Sequence, residues 1–195
     1  MRIIAGTLRS RSLQAPPGLA TRPTSDRLRE TLFNVLAPRI EGAHVLDLYA
    51  GSGAVGIEAL SRGAAHVRFV EKSPPALKVL RANLERLDLK TRTGIFAMSA
   101  SSCLKMPFEK PGFDIVFLDP PYDAQHEYDT TLGLLGGNAR GWLSRDALVI
   151  VEHRRKDKLR ESVGMLRRTR LLPQGDAALS FFALHESEPE QEENA

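Results

Sequence analysis

Cysteine is nearly missing from this chain: Cys103 stands alone among 195 residues, which excludes an internal disulfide. With five scattered histidines it leaves no zinc-ligand spacing, so no metal is expected, and Cys103 itself is expected as a small core or edge residue. No run approaches the roughly 18 apolar residues that cross a bilayer. The start, Met1-Arg-Ile-Ile-Ala-Gly6, has no signal-peptide core. A cytoplasmic protein with no membrane association is the expectation. Internal repeats and interior linkers are also lacking, and 195 residues at 42% hydrophobic suit one main domain with small additions.

The formal charge of +3 conceals a more basic body. Residues 186–195 hold five acids and no base, and without them 27 bases face 19 acids. A polar tail of this kind cannot bury enough surface to order itself and is expected to be disordered. Lysine is absent from the first forty residues, which carry seven arginines against Asp26 and Glu30. Arginine suits forked hydrogen bonding to phosphate and stacking on bases, although a charge surplus by itself also fits an ordinary solvated face.

The centre of the sequence is His44 to Leu60. Val45, Leu46 and Leu48 form a strand-length apolar run, Gly51 and Gly53 make a turn, and Val55, Ile57, Ala59 and Leu60 continue as a helix that Gly63 stops. Glycines there let a ligand approach the backbone, and the first N–H groups of the helix offer donors. Gly51, Gly53 and Gly56 satisfy G-x-G-x-x-G, with Glu71 twenty residues past Gly51, so a nicotinamide dinucleotide is one candidate. Asp47 favours another. A carboxylate at the end of the strand can hold a cationic amino group, which S-adenosylmethionine has and the dinucleotide lacks.

Before this centre, residues 1–20 read as a small hairpin or arm on which Arg9 and Arg11 share a face. Thr21 to Asp26 caps a helix with Leu28, Leu32, Val35 and Leu36 on one side and Arg27, Arg29, Glu30 and Asn34 on the other. After it come a second strand at 66–71, a helix from Ser73-Pro74 through Leu87, strands at 93–98 and 113–119, a helix over 128–135 and a strand at 147–152. The segment 154–170, with eight bases and two acids, is expected to form a helix and then a strand, and to be a second contact for an anionic partner. Residues 179–184 close the sheet in an antiparallel hairpin. Alternating strands and helices predict an α/β fold with a mostly parallel sheet.

Asp119-Pro-Pro-Tyr122 follows the fourth strand, at the carboxyl edge where open parallel sheets bind ligands. Two prolines remove two donors and stiffen a rim of carbonyl oxygens, to which Asp119 adds a further acceptor. An acceptor-only rim suits an amine, and Tyr122 offers a flat face for a base. With the glycine turn, this tetrapeptide resembles the class I methyltransferases that act on exocyclic amines. Met1 to Gly6, Thr21 to Glu30 with Leu32-Phe-Asn34, Asp47 to Gly53, Asp119 to Tyr122 and Gly175-Asp176 with Leu179 to Phe182 resemble the RsmD family more closely. That family methylates a guanine amine in bacterial small-subunit (16S) ribosomal RNA. The likeness spans residues 1–184.

The resemblance implies a Rossmann-like methyltransferase domain at 41–185, an RNA-binding extension at 1–40 and a tail at 186–195. It gives the methionine part of S-adenosylmethionine to Asp47, Tyr49, Ala50, Gly51, Ser52 and Gly53, and the ribose to Glu71 beside Lys72. Where many relatives have an acid for the adenine amine, this chain reads Met98-Ser99-Ala100, leaving Ser99 or a backbone group for that task. Phe69 and Met98 are expected in the core. Asp119, Pro120, Pro121 and Tyr122 are the expected catalytic residues. Arg9, Arg11, Arg22, Arg27 and Arg29 are the expected RNA contacts, with ribosomal RNA or the small subunit as partner and a monomer as the working form. Two other readings share these features: a methyltransferase of DNA adenine or another amine, and a non-catalytic RNA-binding protein.

Overall fold

A computed structural model describes residues 1–16, 26–108, 112–121, 125–137 and 141–185. The expected helix cap at Thr21, and with it Arg22, Tyr122 and the acidic tail, lies outside the described residues. The elements are α1 (Asp26–Leu36), β1 (His44–Asp47), α2 (Ala54–Ser61), β2 (His66–Val70), α3 (Pro74–Arg86), β3 (Thr93–Phe96) and α4 (Ala100–Leu104). There follow β4 (Phe113–Leu118), α5 (Gln125–Gly137), β5 (Leu143–Arg154), β6 (Ser162–Val163), β7 (Leu166–Gln174) and β8 (Ala177–Leu184). No described helix is long and apolar enough to cross a membrane.

One sheet runs in the order β3-β2-β1-β4-β5-β8-β7-β6. The pairs among β3, β2, β1, β4 and β5 are parallel, and β8, β7 and β6 add antiparallel strands. Successive side chains of the central strands serve opposite faces. Val45, Ile115 and Phe117 join one core with α1 and α2, whereas Leu46, Val116 and Leu118 join the other with α4 and α5. Strands buried on both faces carry continuous apolar runs for this reason. Strand order reverses between β1 and β4, so the crevice beyond their carboxyl ends is the natural ligand position.

Three expectations change. Residues 154–170 contain no helix: β5 extends to Arg154, and a turn leads into the β6–β7 hairpin. Leu159, Val163 and Leu166 have helical spacing, but β8 offers an open edge along which β7 pairs from Leu166 to Gln174, and Gly164 at φ +56° turns the chain. Sheet pairing outweighs local spacing. In the leader, Arg2 and Ser12 form an antiparallel bridge, but Arg9 sits within the turn, with Ser10 at φ +68° between it and Arg11. Strand alternation therefore does not relate these two arginines, although both are exposed.

Arg29 is the third correction. It is fully buried and cannot meet RNA. Counting along α1, Arg29, Leu32, Phe33 and Leu36 lie at i, i+3, i+4 and i+7, which is the buried stripe itself. The guanidinium is met there in part: Nη2 donates to the Arg2 carbonyl at 2.6 Å and to Asp26 Oδ1 at 2.9 Å, and Nε stands 4.0 Å from Glu58 Oε2, while Nε and Nη1 make no hydrogen bond among the described residues. Glu58 also accepts the Ile4 and Ala5 N–H groups at 2.7 and 3.0 Å and Arg62 Nε at 2.8 Å. The leader is thus pinned to α2, and its Ile3 and Leu13 enter the main core.

Candidate active site

β1 ends at Asp47, whose carboxylate is buried and accepts the Gly56 N–H at 3.2 Å. Burial is the main cause that lifts its pKa to about 7; the Gly56 bond opposes this and the nearby Glu71 charge adds to it. The turn that follows needs its glycines for different reasons. Gly51, at φ +54°, has only open space where a Cβ would stand. Gly53 takes φ +83°, and a Cβ there would lie 2.5 Å from Leu80 Cδ1. On Gly56 a Cβ would strike the Phe69 ring of β2. Glu71, just past β2, locks the turn from beside it: Oε2 accepts the Gly51 N–H at 2.8 Å and Oε1 the Ser73 N–H at 2.7 Å. A carboxylate has about four lone-pair positions, so each oxygen keeps room for one more donor.

Asn83 of α3 supports the turn from below. It donates to the Ser52 carbonyl at 3.0 Å and exchanges bonds with the backbone of Gln14, at 2.9 and 3.1 Å. Leader and glycine turn therefore share one buried amide.

A cavity of about 1580 Å³ opens over the carboxyl ends of the strands. Asp47, Tyr49, Ala50, Gly51, Ser52, Glu71, Lys72, Ser99 and Ala100 line it, and so do Asp119, Pro120 and Pro121 from the loop after β4. Of the expected cofactor residues Gly53 is off the wall, packed on Leu80 and holding the turn. Phe69 is in the core as expected, and Met98 is half-buried against the second core while also lining the cavity. Ser99 caps α4, its Oγ accepting the Ser102 N–H at 3.1 Å. Cys103 is buried in α4, where burial pushes its thiol up to about 11. Arg9, Arg11 and Arg27 are exposed and stand off the cavity wall.

Several wall residues escaped sequence reasoning. Met1, Ala15 and Pro16 bring the leader to the cavity, Arg154 comes from the end of β5, Arg155 and Lys156 from the turn after it within the basic segment expected as a second contact, and Gly175 and Asp176 from the turn between β7 and β8. Glu127 enters from the first turn of α5. Its signal was an acid at a helix start, hidden because the helix begins at Gln125 rather than Tyr128. Acids hold the inside of the cavity, with Asp47 buried, while Lys72, Arg155 and Lys156 are exposed at its margin.

A strand ending in a buried carboxylate and a glycine turn, facing an Asp-Pro-Pro loop across the point where strand order reverses, defines a Rossmann-like methyltransferase, and similar solved structures agree. That of yhhF from Escherichia coli, described as a candidate methyltransferase, superposes with a TM-score of 0.84 at 35% identity, covering 96% of this chain and 99% of that one. A candidate methylase from Haemophilus influenzae gives 0.79 at 35% identity, covering 95% and 99%. The family model described as Conserved hypothetical protein 95 matches residues 1–183, and the chain belongs to this, the RsmD family. Ribosomal RNA small subunit methyltransferase D of H. influenzae is 42% identical over 159 residues, covering 81% of this chain and 80% of that protein. The protein of the same name from E. coli K12 is 42% identical over 153 residues, covering 78% and 74%.

Proposed function

We propose that this methyltransferase moves a methyl group from S-adenosylmethionine to the exocyclic amine of a guanine in small-subunit ribosomal RNA. The observation that carries the reading is the single cavity shared by the Gly51 turn and the Asp119–Pro121 loop. The names of its relatives support the RNA. The residues fit the cofactor: Asp47 is a buried acid facing a cavity, Glu71 keeps acceptor capacity, and Gly51 leaves its Cβ space open. Asp47 would hold the amino group, the Ala50–Gly53 turn the methionine part, and Glu71 the ribose hydroxyls. Lys72, Ser99 and Ala100 would flank the nucleoside.

When bound, S-adenosylmethionine supplies a methyl group on a sulfonium that leaves as a neutral thioether. A guanine amine attacks poorly because its lone pair is delocalised into the ring. Asp119 and the Pro120 carbonyl accept its two N–H bonds, which favours tetrahedral nitrogen and aims the lone pair at the methyl carbon. Held in this way, the amine nitrogen would take the methyl group as the sulfonium became a thioether, and its extra proton would pass to water. Tyr122 stacks on the unpaired or flipped base.

The exposed Arg9, Arg11 and Arg27 of the extension 1–40, with Arg155 and Lys156 at the cavity margin, contact RNA phosphates around the domain 41–185. The test supplies labelled S-adenosylmethionine with naked small-subunit RNA or assembled subunits and identifies the labelled nucleoside by mass. N2-methylguanosine is expected; label on adenine, ribose or protein would refute the proposal.

A further inference from the structure

Glu127 belongs to neither loop of the site, yet its carboxylate reaches both sides of it. Oε2 accepts a hydrogen bond from the Tyr49 hydroxyl at 3.0 Å, and Oε1 lies 3.6 Å from Lys72 Nζ. The Tyr49 oxygen is also 2.7 Å from Thr131 Oγ1, one turn further along α5. Tyr49 stands two residues before Gly51, Lys72 directly follows Glu71, and α5 begins four residues after Pro121. One side chain thus ties the helix after the target-base loop to both segments assigned to the cofactor. It lines the cavity with its side chain only 14% exposed. A glutamate that only capped α5 would not need these partners, which come from beyond β1 and β2.

We infer that Glu127 is a positioning residue for methyl transfer, acting through Tyr49. This rests on the roles proposed above for the two loops. The loop from Asp119 to Pro121 lies in sequence between β4, which is paired with β1 and β5, and α5, so its distance from the glycine turn depends on what holds α5 as well as on the sheet. In-line transfer is steep in geometry: a displacement of about 1 Å in the reacting groups costs on the order of 100-fold in rate. The bond from Tyr49 to Glu127, backed by Thr131, ties α5 to the glycine-turn segment and so adds to what the sheet already sets, before either ligand arrives. The Tyr49 hydroxyl is engaged with α5, so its contribution to the site is the position of the chain on either side of it.

The experiment measures kcat and both KM values, with S-adenosylmethionine and small-subunit ribosomal RNA, for wild type, Glu127→Ala, Glu127→Gln, Tyr49→Phe and the double variant Tyr49→Phe/Glu127→Ala. Glu127→Ala is expected to lower kcat roughly 10- to 100-fold with each KM within about threefold. Glu127→Gln should recover most of that loss, because its amide oxygen still accepts from Tyr49. Tyr49→Phe should lower kcat in the same way, and the double variant should be no worse than Glu127→Ala. If Glu127→Ala fails to fold, Tyr49→Phe, which deletes one hydroxyl, carries the same test. A raised KM at normal kcat would overturn the inference by making Glu127 a ligand contact. Equal losses in the Ala and Gln variants, or losses that add in the double variant, would overturn it too. Wild-type turnover is read first: its absence would refute the functional reading, whereas a wild-type rate shared by all the variants would refute only the positioning role.

Discussion

The role proposed for Asp47 sets ligand binding against the stability of the fold that buries it, and Asp47→Asn should separate the two. Burial raises this carboxyl from 3.8 to about 7, a shift worth on the order of 4 kcal/mol at about 1.36 kcal/mol per pH unit. The sign follows from linkage: a group that binds its proton more tightly when folded stabilises the fold below about pH 4, and that contribution is lost as pH rises to about 7. Above pH 7 the ligand-free protein therefore carries a buried, ionised Asp47. Asparagine keeps an oxygen for the Gly56 N–H and removes the charge, but its two N–H donors cost about 1–3 kcal/mol if unmet. The net gain is about 1–3 kcal/mol, or roughly 2–10 °C in melting temperature at pH 8 for a chain of this size. At pH 5, where Asp47 is neutral, the gain should vanish. The same substitution removes the partner for a cationic amino group and should weaken S-adenosylmethionine at least about 100-fold. Thermal melts at both pH values and calorimetric titration with the cofactor make the comparison. A variant with no pH-dependent stability gain, or one that binds cofactor as wild type does, would refute the assignment of Asp47.

Other outcomes follow from the same geometry. Asp119→Ala should abolish methyl transfer while cofactor affinity stays within about threefold, as read by labelled turnover beside calorimetry. Removing the charges of Arg9, Arg11 and Arg27 by glutamine should weaken RNA and flatten the slope of log affinity against log salt by about 0.7 for each phosphate no longer neutralised. Filter binding across a salt series checks this, and whole-leader truncation is the poorer test because Ile3 and Leu13 belong to the core. Glu58→Ala should cost about 3–5 kcal/mol in urea unfolding, because it strips the buried Arg29 and the partly buried Arg62 of a counter-charge and orphans two leader N–H groups. Gly56→Ala should cost about 1–3 kcal/mol in the same assay through the clash with Phe69.

The parallel strands, the glycine turn and the loop after β4 were legible in the sequence because each obeys a local rule. Apolar runs mark strands buried on both faces, as in Val45-Leu46 and Ile115 to Leu118, and Gly51 and Gly53 mark positive φ. Sheet topology then brings Asp47 and Asp119 to one rim, since Asp47 ends β1 and Asp119 follows β4, the two strands that flank the reversal of order. The antiparallel strand before β8 was expected, but the absence of a helix ahead of it was not legible, because Leu159, Val163 and Leu166 keep helical spacing while the chain instead turns into the β6–β7 hairpin.

The sequence by itself determined which chemistry the chain can hold: an acid at a strand end, a backbone turn without side chains, and a rim of acceptors stiffened by proline. Those properties are covalent or nearly so, and reach no further than a few residues. Tertiary structure decided which charges face outward and which segments meet. Arg29 lies inside because Glu58 and the Arg2 carbonyl are there to receive it, and Glu127 matters because folding brings Tyr49 and Lys72 to it from positions 78 and 55 residues away. A buried charge survives only with its partners, and partners distant in sequence are chosen by the packing of the whole sheet.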